Sequence, residues 1–364
     1  MLPVALWVCP VGEFAGVARH ITDDARVGLP GYRLIVTAPE GALLDRLYEL
    51  GCPAVPLQVE GVPTHRTVRA LRQTVSRLRP AVVHSHLAKA DFLVAMATAG
   101  SGASLISTEH GIAERSFAYH GSRLQALGRQ AAHHTRIRRF TQLIAVSEAT
   151  RREMQRQWRP SAPITVIHNG IDRPTTPPRR TPGLRVLSLS RLAPEKNLDT
   201  TLRVFARARR ARPDATLTVA GEGAQRPQLL ELARELGIDD ATSFPGFVEA
   251  QQAVADHDVL LQPSLAENFS YTLLDAVNHG LGVVASNRGG NPEVLPTHCL
   301  APAHDVDRLA ELVIEQGTRP SRRPRLPSTI PDVREMSSRI VDLYQRAGSS
   351  PPAMRNARLD RDAR

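Results

Sequence analysis

The chain has 364 residues, more than one hydrophobic core usually organises, so we expect two domains. Its hydrophobic share of 42% is typical of a globular protein, and it has no run of about eighteen apolar residues that could span a membrane. The formal net charge of +10 favours phosphates, nucleic acid or an anionic membrane as partners, without choosing among them.

The opening segment "MLPVALWVCP" is apolar but lacks the positive start and cleavage site of a signal peptide, so it predicts a buried first strand. The three cysteines, Cys9, Cys52 and Cys299, are far apart and odd in number. They predict neither a disulfide framework nor a zinc site. We therefore expect a cytoplasmic protein whose membrane contact, if any, is peripheral at the inner face.

Short apolar runs alternate with longer amphipathic stretches, which predicts strand–helix units wound into parallel sheets. The predicted strands of the first half are "VALWVC", "RLIVTA", "AVVHSH", "SLISTEH" and "LIAVSE", with "TVRALRQTVSRLR" as a helix. The pattern then restarts. The second half has the strands "LRVLSLSRL", "TLTVAGEG", "TSFPGF", "VLLQPS" and "GVVASN", and the helices "LDTTLRVFARARRA" and "RPQLLELARELG".

The division into domains follows from the prolines and glycines of "HNGIDRPTTPPRRTPG", which predict a linker. We expect an N-terminal domain at residues 1–170, a linker at 171–183 and a C-terminal domain at 184–331. A helix at 332–348 could return to the N-terminal domain or stay with the C-terminal one. The polar, basic tail at 349–364 is expected to be disordered.

Two such domains create a cleft where the carboxyl ends of both sheets face each other, and doubly wound sheets bind ligands there. In "SLSRLAPEKNLD", Arg191 follows a predicted strand and Lys196 comes five residues later, before a helix. Two cations beside a helix N-terminus could clamp a diphosphate. Two solvated surface cations are the commoner explanation of this stretch taken alone.

The segment "ENFSYTLLD" holds two acids, Glu267 and Asp275, eight positions apart. A helix is predicted to begin near residues 268–271. Eight residues make about 2.2 turns, so we expect Glu267 at the helix start and Asp275 two turns in to lie within about 60° of the same face. Carboxylates accept hydrogen bonds from sugar hydroxyls, and a helix start offers free backbone N–H donors. Here those donors are on Asn268, Phe269 and Ser270. Acids at such positions are also common without a ligand.

Two further loops after strands hold candidate residues. In "CPVGEFAGVARH", Gly12 and Gly16 flank a turn into a helix and would let the backbone approach a phosphate, or serve only the turn. In "STEHGI", His110 could hydrogen-bond a sugar hydroxyl, although a lone histidine is often an ordinary polar residue.

Two patterns that suggest metal binding are given other interpretations. Asp256 and Asp258 form a DxD pattern, but they directly precede a strand and are predicted to lie in a turn. His84 and His86 lie on a predicted strand, where alternation places both on one face and Ser85 on the other. Two histidines are too few for a metal site, so we expect no metal.

The order of these stretches resembles the retaining, GT-B-fold sugar transferases of glycosyltransferase family 4. The resemblance covers residues 4 to about 316 and is most specific in the C-terminal half. It is carried by "AGVARH", "VVHSHL", "STEHG", "LIAVSEATRREM", "VIHNGID", "SRLAPEKNLD", "VAGEGAQRPQL", "PGFV", "LLQPSLAENFSYTLLDAVNHGLGVVASNRGGNPEVL" and "CLAPAHDVDRLAELV".

The resemblance implies an α/β protein of the GT-B type, with two doubly wound, Rossmann-like domains facing across a cleft. It implies a retaining hexosyltransferase that uses a nucleotide diphosphate sugar, with no cofactor, no metal and no established protein nucleophile. Arg191 and Lys196 would hold the donor's diphosphate. Glu267 would contact the donor sugar, assisted by the backbone of residues 268–270, and His110 would lie near the reacting centre.

The remaining residues implied by the resemblance surround the nucleotide. Asp275 stands where the family has a second glutamate that binds the ribose, and Phe247 and Val248 stand where it lines the base pocket. Gly16 matches the second glycine of a family turn whose first glycine is replaced here by Ala15. The shorter aspartate and this alanine are departures from the family pattern.

The acceptor is the least determined part of the prediction. The family implies cell-surface polysaccharide or glycolipid synthesis and no nucleic acid. The basic stretches "TVRALRQTVSRLR" and "GRQAAHHTRIRRF" could bind an anionic leaflet and a lipid-linked saccharide, or could be solvated surfaces. A natural-product transferase with a soluble acceptor, a nucleotide-sugar epimerase and a non-catalytic nucleotide-sugar binder are the alternatives.

Overall fold

The structure is a computed structural model that describes residues 2–111, 136–175 and 181–348. Within these residues the strands form two sheets, and all strand pairs are parallel. The strands of the first sheet are Val4–Val8 (β1), Arg33–Ala38 (β2), Ala54–Pro56 (β3), Val82–His86 (β4), Ser104–Glu109 (β5), Gln142–Ala145 (β6) and Ile164–Val166 (β7). Those of the second sheet are Arg185–Leu189 (β8), Thr216–Ala220 (β9), Thr242–Gly246 (β10), Val259–Gln262 (β11), Gly282–Ser286 (β12) and Leu300–Ala301 (β13).

Helices connect these strands and cover both faces of the sheets. In the first half they are Gly16–Val27 (α1), Ala42–Glu49 (α2), Thr64–Leu78 (α3), Ala88–Ala97 (α4) and Glu148–Trp158 (α5). In the second half they are Leu198–Ala211 (α6), Arg226–Glu235 (α7), Ala250–Ala255 (α8), Tyr271–Asn278 (α9), Asn291–Val294 (α10), Val306–Thr318 (α11) and Val333–Gly348 (α12).

The strand order confirms the predicted doubly wound fold. The first sheet runs β3-β2-β1-β4-β5-β6-β7 and the second runs β10-β9-β8-β11-β12-β13. In each sheet the direction of winding reverses between two central strands, β1 and β4 in the first and β8 and β11 in the second. A crevice opens at such a reversal, and the loops after these four strands are therefore where a ligand is expected.

Central strands of both sheets are buried because helices exclude water from both faces of each sheet. Every residue of β4, "VVHSH", is buried, as is every residue of β11 and β12. The three shortest strands, β3, β7 and β13, were missed by the sequence prediction. They have only three, three and two residues, too few for a period of two to be visible.

The last helix, α12, packs on the first sheet and against α1. Its Tyr344 is fully buried, and the Tyr344 hydroxyl accepts a hydrogen bond from Nε1 of Trp7 at 2.8 Å. Where the chain leaves the first domain, Gly170 packs against the segment that leads back into α12. A side chain on Gly170 would overlap the carbonyl of Asp332. The chain therefore crosses between the two sheets twice. Residues 176–180 of the predicted linker and the predicted tail lie outside the described residues.

Candidate functional site

The loops after β8 and β11 bring a lysine and a glutamate into contact in the cleft. Nζ of Lys196 lies 2.8 Å from Oε2 of Glu267, and the two side chains are only 20% and 10% exposed. Lys196 ends a single 3-10 turn, Pro194–Lys196, just before α6. The residue predicted to bind the diphosphate, Lys196, is therefore in contact with the residue predicted to bind the sugar, Glu267.

A glutamine that the sequence prediction missed completes this contact. Gln262 is the last residue of β11, and its amide donates to Oε2 of Glu267 at 2.7 Å. The same amide's oxygen accepts from the hydroxyl of Ser270 at 3.2 Å. Ser270 caps α9 by accepting from the backbone N–H of Leu273. A buried polar residue closing the apolar strand "VLLQ" was the available signal.

Two glycines after β12 pack closely against the backbone of the loop that carries Glu267. Gly289 has a φ of +54°, and a side chain there would overlap the carbonyl of Glu267. A side chain on Gly290 would overlap the carbonyl of Asn268, which instead accepts the Gly290 N–H at 2.9 Å. Only glycine permits this approach, so the loop carrying Glu267 has little room to move.

The first domain contacts the same loop through the motif "HNG", residues 168–170. The ring of His168 stacks on Phe269 with centroids 4.7 Å apart, and the amide of Asn169 donates to the carbonyl of Phe269 at 3.1 Å. Phe269 is buried, so its side chain is part of the interface between the two domains.

Glu293, on α10, is a second bridge between the domains that the sequence prediction missed. Its carboxylate lies 2.9 Å from Nε2 of His168 and accepts the backbone N–H groups of Glu148 and Ala149 at the start of α5. Burial alone would raise the pKa of Glu293, but the hydrogen bonds from His168 and these N–H groups lower it below its ordinary value. A carboxylate at a helix N-terminus is also favoured by the helix dipole.

Arg191 is not brought to the Lys196–Glu267 pair. Its side chain is 70% exposed and its guanidinium contacts Glu195 at 2.7 Å. Gly16 begins α1, and the nearest atom to a side chain built there is Cδ2 of Tyr271, at 3.9 Å. The N-terminus of α1 therefore faces the beginning of α9 across the cleft.

Asp275 faces a different partner from Glu267. Helix α9 begins at Tyr271, within the predicted start at residues 268–271, but Glu267 lies before the helix, so helical spacing does not place the two acids on one face. Asp275 is buried and pairs through both carboxylate oxygens with the guanidinium of Arg19, on α1. Arg19 also lies over the ring of Tyr271, 4.4 Å from its centroid. Burial alone would lower the pKa of Arg19, but the contact with Asp275 raises it above its ordinary value.

A cleft of about 430 Å³ lies beside this ion pair. It is lined on one side by Phe14 and Arg19, and on the other by Asp275 and residues 249–251. Phe247 and Val248 immediately precede that segment. Phe247 is 71% exposed, whereas Val248 packs against the core of the second domain.

His110 lies at the first-domain side of the cleft. Its Nε2 is 2.9 Å from Nδ1 of His86, and a side chain on the adjacent Gly111 would approach the amide of Asn268. The rings of His84 and His86 stack at 4.6 Å, which confirms that they share a face of β4. Ser85 points the other way, towards Asp91.

Other charged residues singled out in the sequence are held by protein partners. Asp258 accepts both a side-chain nitrogen and the backbone N–H of Arg185 at 2.9 Å, and Asp256 accepts from Gln252 at 2.8 Å. Arg136 belongs to the stretch "GRQAAHHTRIRRF", which was expected to be a basic surface. That expectation is wrong for Arg136, which is fully buried. The residues of this stretch up to position 135 lie outside the described residues.

The Arg19–Asp275 pair should couple the domains energetically. Arg19→Met and Asp275→Asn, alone and together, are expected to give a coupling energy of about 1–3 kcal/mol because the pair is largely buried. The exposed pair Arg26–Asp172, starting on the same helix, should give less than about 1 kcal/mol. The measurement is the urea unfolding of the four variants of each pair. Equal coupling in both pairs would contradict the burial argument.

In comparisons with known proteins, both halves of the chain match family models of glycosyltransferases. The family model "Glycosyltransferase Family 4" matches residues 24–173, and the model "Glycosyl transferases group 1" matches residues 183–316. Together the two ranges cover most of the chain. They include Lys196, Glu267 and Asp275 in the second range and His110 in the first.

Individual relatives are more distant. A glycogen synthase from Mycobacterium tuberculosis is 34% identical over 232 residues, which are 60% of this chain and 54% of that protein. A GDP-mannose-dependent phosphatidylinositol monomannoside mannosyltransferase of the same species is 30% identical over 195 residues, 47% of this chain and 51% of that one. The chain thus spans about half the length of these curated relatives.

The fold is shared with solved structures over nearly the whole chain. Anabaena HepE in complex with UDP and glucose superposes with a TM-score of 0.79 at 19% identity, covering 94% of this chain and 100% of that one. Sucrose-phosphate synthase from Thermosynechococcus elongatus gives a TM-score of 0.74 at 15% identity, covering 94% and 98%. At these identities the likeness confirms the GT-B fold and nothing more specific.

Proposed function

Because the chain belongs to the group 1 glycosyltransferases of family 4, we propose that it moves a hexose from a nucleotide diphosphate sugar to a hydroxyl acceptor, with retention of anomeric configuration. The observation that carries the proposal is the 2.8 Å contact between Lys196 and Glu267. In this contact, a cation that would bind the leaving diphosphate meets an acid that would bind the hexose. The contact lies at the crevice where doubly wound sheets bind ligands.

The chemistry of the proposed reaction is electrostatic. Breaking the bond between the anomeric carbon and the phosphate builds negative charge on the diphosphate and positive character on the sugar. A cation fixed beside the diphosphate lowers that barrier, and one such contact contributes about 3 kcal/mol. Lys196 supplies it, and Glu267 accepts hydrogen bonds from the hexose. We assign no protein nucleophile.

Arg191 would join Lys196 on the diphosphate by leaving Glu195. Its guanidinium is exposed, so the ion pair it gives up is a weak one. With two cations on the diphosphate, we propose that transfer needs neither a metal ion nor a cofactor. The backbone N–H groups of residues 268–270 would assist at the sugar, and His110 would approach it from the first domain.

The nucleotide would extend into the cleft beside Asp275. Asp275 would accept from the ribose hydroxyls while still paired with Arg19, since a carboxylate has about four acceptor positions. Phe247 and Val248 would contact the base, and the N-terminus of α1 at Gly16 would face the phosphates. These assignments are the residue-level part of the proposal.

We propose a lipid-linked saccharide as acceptor, in cell-surface polysaccharide or glycolipid synthesis. Relatives support this: the mannosyltransferase described above acts on a phosphatidylinositol mannoside, and a human relative is a phosphatidylinositol N-acetylglucosaminyltransferase subunit. Among the described residues, no helix combines the length and apolarity that crossing a membrane needs. A cytoplasmic enzyme would reach the lipid through exposed arginines of α3, namely Arg66, Arg69, Arg72 and Arg77.

The test is a panel of nucleotide sugars incubated with the purified chain while nucleotide release is followed. We expect release from one donor, and we expect it to rise when lipid-linked saccharides are added. Release that responds only to small soluble acceptors would indicate a natural-product transferase. Conversion of the donor without any acceptor would indicate an epimerase, and tight donor binding without turnover would indicate a binding protein.

A further inference from the structure

Four histidines form a cluster at the carboxyl end of the first sheet. His84 and His86 lie on β4, His110 follows β5, and His20 lies on α1. The ring centroids of His86 and His110 are 5.2 Å apart, and those of His20 and His110 are 4.8 Å apart. His20, His84 and His86 are almost completely buried. Only His110 has a place in the proposed transfer reaction.

His84 is the member whose role is structural. Its Nδ1 lies 2.6 Å from the hydroxyl of Tyr344, and its Nε2 lies 2.7 Å from the hydroxyl of Thr108. Both ring nitrogens therefore have protein partners, and this ring has no nitrogen left for a ligand.

The other three histidines converge. His20, His86 and His110 each offer a ring nitrogen, and these nitrogens lie within 4.8 Å of one another. Zinc binds imidazole nitrogen at about 2.0–2.1 Å, so two nitrogens of a tetrahedral site are about 3.4 Å apart. Nδ1 of His86 and Nε2 of His110 are already 2.9 Å apart. Ring shifts of about 1 Å would complete the geometry.

The surroundings of His20 suit a cation. Metal-bound histidines usually present their second ring nitrogen to a carboxylate or carbonyl. Nε2 of His20 lies 3.5 Å from Oδ2 of Asp24, which is fully buried. On the other side, Oδ1 of Asn169 lies 3.3 Å from Nδ1 of His20 and could be a fourth ligand.

The rings are also chemically ready to bind. His20 and His86 are almost completely buried, and burial disfavours the protonated form of an imidazole ring. Neutral imidazole is the form that binds metal. Nδ1 of His86 is the nitrogen that faces His110, and the opposite nitrogen, Nε2, has no hydrogen-bond partner among the described residues.

From this geometry we infer that His20, His86 and His110 form a binding site for one divalent transition-metal ion, with Zn²⁺ as the best-suited ion. Imidazole ligands suit zinc and its neighbours rather than magnesium or calcium. The site is separate from the Lys196–Glu267 pair that would handle the diphosphate. If the proposed function holds, a metal on His110 would keep that ring from the donor sugar, so Zn²⁺ should inhibit transfer.

The first experiment is a Co²⁺ titration of the full chain, without an affinity tag and after treatment with a chelator. We expect one Co²⁺ per chain, with the strong visible absorption of a tetrahedral site, and displacement by one equivalent of Zn²⁺. His86→Gln should weaken Co²⁺ binding at least about tenfold. His84→Gln is the matched control, because His84 lies on the same strand and is equally buried but has both nitrogens occupied. It should keep the one-to-one binding.

Absence of one-to-one binding by the unmodified chain, or equal affinity in the His86→Gln variant, would overturn the inference. A second measurement does not require any variant to fold. In crystals soaked with Zn²⁺, anomalous scattering should show a peak between the rings of His20, His86 and His110, and a peak elsewhere or none would overturn the inference. Neither readout involves sugar transfer, so a failure of the proposed function would be seen separately.

Discussion

Lys196→Met is expected to lower kcat for acceptor-dependent transfer by about 10²–10³-fold, the effect of removing one fixed charge from a developing anion. The diphosphate gains charge as the sugar leaves, so Lys196 would bind it more tightly in the transition state than in the ground state. The loss should therefore appear mainly in kcat, with a smaller change in the donor KM. Steady-state kinetics with the donor and acceptor found in the panel measure both.

Glu267→Gln should produce a loss of the same order by a different route. The amide keeps the shape but gives up the ion pair with Lys196 at 2.8 Å and the charged acceptor for Gln262 at 2.7 Å. Since the two residues are in contact, the double variant should lose much less than the product of the single losses. Independent, multiplicative losses would show that the pair does not act as a unit.

Glu235→Gln is the matched control for this charge removal. Glu235 ends α7, on the exposed face of the same domain, and should leave kcat and KM unchanged. If Lys196→Met and Glu267→Gln both kept more than about a tenth of the activity, the proposed electrostatic mechanism would be wrong.

Much of the fold could be predicted because its signals are local. The stretch "LDTTLRVFARARRA" has the bounds of α6, Leu198–Ala211, and "VALWVC" contains β1, Val4–Val8. In both, the apolar period is long enough to read from neighbouring residues alone. The edge strands β3, β7 and β13 lack such a signal, because their placement depends on pairing with a neighbouring strand.

The site could be predicted only in part, for the same reason. Lys196 and Glu267 could be found because each lies in a loop after a strand, yet their contact joins residues 71 positions apart. Arg19 and Asp275 are 256 positions apart and in different domains. No local pattern reveals that Arg19 holds this carboxylate. His20 joins the histidine cluster in the same way, through the docking of α1 beside β4.

Arg136→Met is expected to destabilise the first domain by about 3–5 kcal/mol at pH 8, the usual effect of removing one partner from a buried ion pair. Arg136 is fully buried, with its guanidinium 2.9 Å from Asp91 and 3.7 Å from Glu109. Its loss leaves two buried carboxylates without this cation. Methionine keeps the length of the side chain and can still lie over Trp158, whose ring centroid is 4.6 Å from Cζ of Arg136.

The size of this effect should depend on pH. Burial raises the pKa of Asp91 to about 6 and that of Glu109 to about 7, although the Arg136 charge opposes both shifts. Both folded-state values lie above the unfolded values of about 4, so each acid lowers the free energy of unfolding as pH rises from about 4 to 7. Removing Arg136 raises both pKa values further and deepens that loss. Near pH 4 both acids are neutral, and the two proteins should differ least.

Tryptophan fluorescence isolates this measurement, because the chain has two tryptophans and both, Trp7 and Trp158, lie in the first domain. Urea unfolding followed by fluorescence at pH 4.5 and about pH 8 should give a larger difference between Arg136→Met and the unmodified chain at the higher pH. Arg138→Met, two residues away at an exposed position, should be neutral at both. A destabilisation by Arg136→Met that is equal at the two pH values would mean that Arg136 does not stabilise the fold by compensating the charges on Asp91 and Glu109.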